Sequence, residues 1–227
     1  MMSYINELLF GVYPYLAGTV FLVGSLVRFD RDQFTWKAHS SQMLRSHNMR
    51  LASNLFHVGI LGIFFGHLFG LLTPPAFFHA IGFSDAGKQI LAIVAGGVFG
   101  LMCLVGLAML VQRRLTDPRI RSTSTRMDIF VLLLLLAQLC LGLITIPLSL
   151  MHLDGGNMLQ LMSWARNVVT LDPAEAVASM TGVGFIFRLH LVLGMTVFLV
   201  FPFSRLVHIW SVPVGYLRRP YQVVRQR

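Results

Sequence analysis

The sequence predicts an all-α integral membrane bundle of five transmembrane helices, with the N-terminus outside and the C-terminus in the cytoplasm. Three observations carry that prediction. Of 227 residues, 56% are hydrophobic and only 12% charged, about half the charged share of a soluble globular domain. Five apolar windows of 23 to 28 residues each exceed the roughly 20 residues that a helix needs to cross a bilayer. Between the windows, basic residues alternate from crowded to sparse, which fixes orientation through the positive-inside rule.

The windows fall at about 5–27, 51–73, 89–112, 128–151 and 182–209, within a single membrane-embedded domain over 1–227 that ends in a cytoplasmic tail, 210–227. The first has no basic n-region, carries Glu7 near its start and is too long for the apolar core of a signal peptide, so it is expected to stay in the mature protein. Fourteen of the eighteen Lys and Arg lie in 28–50, 113–127 and the tail, against only Lys88 and Arg166 in the opposite connections. The heavily charged side is therefore expected to be cytoplasmic. The remaining two, Arg188 and Arg205, stand within the fifth window.

The net charge of +9 sits in clusters flanking apolar spans, a distribution that points to anionic lipid headgroups and not to nucleic acid. The tail, WSVPVGYLRRPYQVVRQR, holds two prolines that oppose a long helix; it reads as an interfacial anchor or as a docking strip for a cytoplasmic partner. In the longest outer connection, 152–181, Met158, Leu161, Met162, Ala165, Val168 and Val169 recur at helical spacing beside Trp164, predicting a short interfacial helix. Cys103 and Cys140 both lie in apolar windows, and no Cys-x-x-Cys-His run is present, which argues against disulfide scaffolds, zinc fingers and covalently attached haem.

Of eight histidines, His39, His47, His79 and His152 fall in connections, whereas His57 and His67 lie in the second window and His190 and His208 in the fifth. Ionisable side chains in a span are costly and mark function by default. Four is the number needed to ligate two haems. The second and fifth spans run in opposite directions, so His57 shares the cytoplasmic depth of His208, and His67 the outer depth of His190. At 1.5 Å per residue, His57 and His67 are about 15 Å apart along the axis and His190 and His208 about 27 Å, placing two bridged irons roughly 20 Å apart. The eighteen-residue step is five full turns, while the ten-residue step falls about 80° short of three, so the second helix is expected to twist, tilt or lean.

Gly59, Gly62, Gly66 and Gly70 accompany the histidines of the second window. They serve either to admit a flat macrocycle or as ordinary small-residue helix packing. Arg188 precedes His190 by two residues and Arg205 precedes His208 by three, making both candidate partners for haem propionates, although Arg205 also reads as a residue snorkelling to the interface. A haem with histidine on both faces has no open position and carries electrons.

The wording of these motifs is as telling as their spacing. NLFHVGILGIFFGHLFG at 54–70, GFIFRLHLVLGMT at 184–196 and FPFSRLVHIWSVPV at 201–214 resemble the cytochrome b, or gamma, subunit of respiratory membrane-bound nitrate reductase. The likeness extends through YPYLAG at 13–18, SSQMLRSHNMRLASN at 40–54 and the AGG of 95–97. It implies two haem b groups, the proximal held by His57 and His208 and the distal by His67 and His190. It also implies a quinol site beside the distal haem made by Lys88, Gly66 and His67. Electrons would pass inward to an iron–sulfur (beta) subunit and a molybdenum-containing (alpha) subunit, where nitrate is reduced, at a bacterial cytoplasmic (inner) membrane. Taken alone, Lys88 reads as an interfacial snorkelling lysine. Because inward transfer works against an inside-negative potential, at about 2.3 kcal/mol per 100 mV for a full crossing, the inner haem is expected to have the higher potential. Two other readings stand beside this one: a related cytochrome b serving another cytoplasmic reductase, for example of sulfur compounds, and a histidine-based proton transporter.

Overall fold

A computed structural model describes residues 2–38, 40, 41, 43–211 and 218. His39 and nearly all of the tail, with its anchor or docking reading, lie outside the described residues. In chain order the helices are α1 (Met2–Asn6), α2 (Tyr13–Arg31), α3 (Met49–Leu72), α4 (Pro75–Ala80), α5 (Asp85–Thr116), α6 (Pro118–Ser122), α7 (Arg126–Leu150), α8 (Gly156–Val169), α9 (Pro173–Ser179) and α10 (Phe185–Val200). Among the described residues, five stretches are long and apolar enough to cross a membrane: Tyr4–Arg31, Met49–Leu72, Asp85–Thr116, Arg126–Leu150 and Phe185–Phe203.

Local chemistry sets the ends of these helices. Ser84 caps α5 by accepting from the Gly87 amide at 3.0 Å. Thr125 and Asp128 form a reciprocal capping box at the start of α7, satisfying two amides that have no partner within the helix. Asp117 stops α5 and caps α6, accepting from the Arg119 and Ile120 amides, with Pro118 in the first turn, where its missing N–H costs nothing. The first span is interrupted by a π-helical turn, Glu7–Val12. There Pro14 has no N–H to give the Phe10 carbonyl, and the indole N–H of Trp164 on α8 supplies it at 3.1 Å.

The long helices pack in the order α3, α5, α7, α10, α2, antiparallel from α3 through α10, with α2 running parallel to α10. Residues on α5 such as Val94, Val98, Leu101 and Val105 are each more than half exposed, forming an apolar outer face suited to lipid. The closest approach is between α3 and α5. A Cβ on Gly106 would lie 2.3 Å from the Phe56 amide nitrogen, and one on Gly59 would lie 2.5 Å from that of Cys103. Only the absence of side chains lets these backbones meet. By contrast, α3 and α10 do not pack as a pair, leaving a cleft on the side where both carry histidines.

Two ends can be distinguished. At one, α8 lies across the bundle with Met162, Trp164 and Ala165 buried, packed with Phe10, Met180 and Phe187. The helix expected within 152–181 is thus a plug over the bundle, with Val169 on its exposed side. The other end is rich in arginine. Arg45 pairs with Asp117 at 2.9 Å, and Arg113 donates to the carbonyls of Ser41, Arg45 and His47, fastening the connection before α3 onto the α5–α6 corner.

The fifth apolar window corrects the sequence expectation. It is not one helix to 209: α10 ends at Val200, a 3-10 turn follows at Phe201–Phe203, Ser204 is extended, and a second 3-10 segment runs over Arg205–Ser211. Pro202 cannot donate within an α-helix and its ring crowds the preceding turn. Arg28 of α2 takes the freed carbonyls, donating to Pro202 at 2.6 Å and Ser204 at 2.8 Å. The five-turn alignment of His190 with His208, and the 27 Å rise between them, assumed an unbroken helix and do not hold.

Candidate functional site

At the α8 end, His67 of α3 faces His190 of α10 across the cleft, with ring centroids 6.1 Å apart. Two imidazole nitrogens on one metal, each bonded at about 2 Å, would put the ring centres close to that distance. The imidazole Nδ1 of His67 donates to the Ile63 carbonyl at 2.8 Å, which fixes the ring and leaves Nε2 uncommitted, the usual second contact of a metal-ligating histidine. His57 repeats the arrangement on the Ser53 carbonyl at 2.7 Å, and His208 on the Arg205 carbonyl at 2.6 Å. His190 departs from it: its Nδ1 is buried without a partner. Among the described residues no three His, Cys, Asp or Glu side chains gather. Two imidazoles suffice for a haem, because the macrocycle supplies the other ligands.

Lys88, in the first turn of α5, is only 5% exposed, and among the described residues no carboxylate forms a salt bridge with it. Its ammonium donates to the Gly70 carbonyl at 2.9 Å and to the Met162 sulfur at 2.8 Å, and lies 3.9 Å from the Phe78 ring centre. The nearest acid in sequence, Asp85, holds His79 at 3.0 Å. A desolvated cation whose direct contacts are neutral retains much of its capacity to bind an oxygen that carries or develops negative charge.

Beside Lys88 the close packing of α3 and α5 gives way. Gly59 faces Cys103, Gly62 faces Phe99, and a would-be Cβ on either is in collision. One turn further, Gly66 on α3 and Gly96 on α5 stand in the same register, and a Cβ on either would meet nothing within 4 Å; the same is true of Gly70. The two readings of the glycines therefore divide along the helix. The first two make the helix contact, and the last two border open space next to His67 and Lys88.

At the arginine end, Arg205 pairs through Nε with Asp128 at 2.8 Å, giving it a carboxylate supplied by the chain itself. This contact ties the 3-10 segment that carries His208 to the capping box of α7. Arg188 donates to the Asn6 side chain at 3.2 Å and to the Met180 carbonyl, and stands 5.7 Å from the Phe10 ring centre. Two residues along an α-helix are a turn of about 200°, so Arg188 points away from His190.

A family model for the nitrate reductase gamma subunit matches residues 6–227. The respiratory nitrate reductase 1 gamma chain of Escherichia coli (strain K12) is 56% identical over 226 residues, covering 100% of both chains. The respiratory nitrate reductase 2 gamma chain of the same organism is 52% identical over 227 residues. The nitrate reductase gamma chain of Bacillus subtilis (strain 168) is 37% identical, covering 98% of this chain and 99% of its own. The chain belongs to the nitrate reductase gamma subunits.

As a gamma subunit of a multi-subunit oxidoreductase with five apolar spans, it is a multi-pass membrane protein. Within it, the rings of His67 and His190 lie close together and Lys88 reaches the Gly70 carbonyl on the same helix as Gly66. Sequence reasoning missed Met162 and Phe78, which hold Lys88 from α8 and α4. It also missed Asp128 and Arg28, which hold the segment of His208. Asp128 had a readable signal, an acid at the mouth of an apolar window; Met162 had none, because methionine at helical spacing looks like core.

Proposed function

We propose that this gamma subunit is the di-haem b, quinol-oxidising membrane subunit of a respiratory nitrate reductase. It takes electrons from quinol at the outer face and delivers them to a cytoplasmic iron–sulfur (beta) subunit, with nitrate reduced in a molybdenum-containing (alpha) subunit. The observation that carries the reading is the 6.1 Å separation of the His67 and His190 rings, next to a buried ammonium with no carboxylate partner. The arginine-rich end faces the cytoplasm of the bacterial inner membrane under the positive-inside rule, where it also meets anionic lipid. The α8 end then faces outward.

Two bis-histidine haems, when bound, supply one-electron carriers with no open coordination position. His67 and His190 hold the distal one, His57 and His208 the proximal one. The chain's other residues prepare the substrate. The Gly66–Gly96 opening admits the quinol ring beside His67. The Lys88 ammonium donates to a quinol oxygen in place of the Gly70 carbonyl and stabilises the negative charge that grows there as the hydroxyl proton leaves outward. The α8 plug keeps bulk water from the ammonium, which strengthens that interaction. Asp128 and Arg28 keep the His208 segment in place.

The test is a pyridine haem count and a reduced-minus-oxidised spectrum of the purified chain in mild detergent. Two b-type haems per chain are expected, falling to about one in either His57→Leu or His67→Leu. Folded protein without haem, from cells able to make it, overturns the proposal.

A further inference from the structure

At the α8 end, α4 and the start of α5 are joined at two successive places. Phe78 lies over the Lys88 ammonium, 3.9 Å from ring centre to nitrogen, and His79, the next residue, meets Asp85 with Nε2 and Oδ1 3.0 Å apart. Asp85 and Lys88 are three residues apart in the first turn of α5, and side chains so spaced are neighbours on a helix surface. The His79–Asp85 pair therefore stands beside the buried cation. An ionised carboxylate only accepts hydrogen bonds, so this contact keeps the ring proton of a neutral His79 on Nε2 and leaves the lone pair on Nδ1, which makes no hydrogen bond among the described residues. The same division of labour lets a carboxylate hold an imidazole ready as a base in hydrolytic triads. The His79 side chain is 52% exposed and that of Asp85 34%, so a proton taken up there has a way out to water that Lys88, at 5%, lacks.

We propose that His79 is the acceptor for the quinol protons, with Asp85 orienting its ring and stabilising the imidazolium. The inference rests on quinol being oxidised beside Lys88, as proposed above. In each half of the oxidation one quinol O–H bond breaks: the electron leaves for the distal haem, and the proton forms an N–H bond at Nδ1 of His79, directly or through one water. The imidazolium gives that proton to water on the outer side and is neutral again before the second proton arrives. Imidazole suits the task because it takes up and releases a proton near neutral pH, whereas an ammonium has no lone pair with which to accept one. The titratable groups around His79 are Asp85 and Lys88 on α5, and His152 and Asp154 on the connection whose Gly155 packs against Asp85. His152 and Asp154 are bonded to their own backbone, at the Leu148 carbonyl and the Gly156 amide. A pair that merely fastened α4 to α5 would leave proton transfer unchanged, and that difference makes the idea testable.

The experiment follows reduction of the distal haem by a quinol analogue in the haem-loaded subunit, across pH, in His79→Ala with and without added imidazole. The haem count and the dithionite-reduced spectrum should match wild type. The rate should fall about 10-fold, less than the loss of a buried general base, because water reaches this site too. In wild type the reaction should slow on acidification, as the ring becomes protonated beforehand; in His79→Ala that dependence should flatten, and imidazole should restore the rate in proportion to its free-base fraction. Asp85→Asn, which keeps an acceptor for Nε2 and removes the charge, should also be slower, with no gain from imidazole. His152→Ala, lacking the other imidazole of this rim, should react as wild type does. Wild-type rate and pH dependence in His79→Ala, or a slow His79→Ala that imidazole does not restore, overturns the inference. A Lys88→Ala variant as fast as wild type would instead overturn the reading beneath it.

Discussion

Each end of the bundle carries two histidines, held on different supports. At the α8 end, His67 and His190 both sit on regular helices, and the adjacent Lys88 is held by a carbonyl, a thioether and an aromatic ring. At the arginine end, His208 sits on a 3-10 segment after a proline break. It is fastened by the Arg205–Asp128 pair and by two carbonyl contacts from Arg28. One end holds a buried cation on neutral direct contacts beside open space; the other matches its cations with carboxylates and carbonyls. The first arrangement suits a place where a substrate enters and loses protons. The second suits a fixed terminus against which a partner protein docks.

If this contrast is right, Lys88→Ala has the largest effect. Oxidation of a quinol analogue should fall roughly 100-fold, the cost of removing one preorganised donor to a developing oxyanion, with the haem count unchanged. Next is Asp128→Ala, which takes the carboxylate away from a largely buried guanidinium and should lower stability by about 3 kcal/mol, read as a lower melting temperature and release of haem from the arginine end first. The exposed His79–Asp85 pair provides the control at the other end, where Asp85→Asn should cost under about 1 kcal/mol.

A smaller effect separates the two classes of glycine. Gly106→Ala would drive a Cβ into the α3 backbone and should destabilise by about 1–3 kcal/mol. Gly66→Ala meets no atom, so it should leave the melting temperature alone and raise the KM for quinol. Equal melting shifts in the two variants would show that the α3–α5 opening is not there.

The smallest effect concerns pH. The hydrogen bond from Arg45, together with the Ile120 and Arg119 amides, holds the Asp117 carboxyl below its ordinary value. The stabilisation it gives is therefore complete above about pH 4 and is lost as pH falls through the lowered value. In detergent melts the difference between wild type and Asp117→Asn should be present at pH 6 and shrink toward pH 3. A gap that widens on acidification would give the shift the opposite sign.

These comparisons also show what was legible in the sequence. Spans were readable because bilayer thickness imposes a length on them, and the four histidines stood out because ionisable groups in a span are rare. The break at Pro202 was in view, but 182–209 reads as continuous when apolar length alone is counted, and the partner that makes the break tolerable, Arg28, lies 174 residues away. The contacts of Arg188 with Asn6 and Met180 join distant parts of the chain and could not be read from its spacing to His190. The glycines could not be divided from sequence, because Gly62 and Gly66 differ only in how far α5 has diverged beside them.

The central claim, that quinol enters at the α8 end, is tested most directly by a single comparison of quinol-driven haem reduction in His57→Leu and His67→Leu, each retaining one haem. In His57→Leu the remaining haem is predicted to be reduced by the quinol analogue as rapidly as in wild type, while in His67→Leu reduction is predicted to be slow or absent. Rapid reduction in His67→Leu, with none in His57→Leu, would place the quinol at the arginine end and contradict the account.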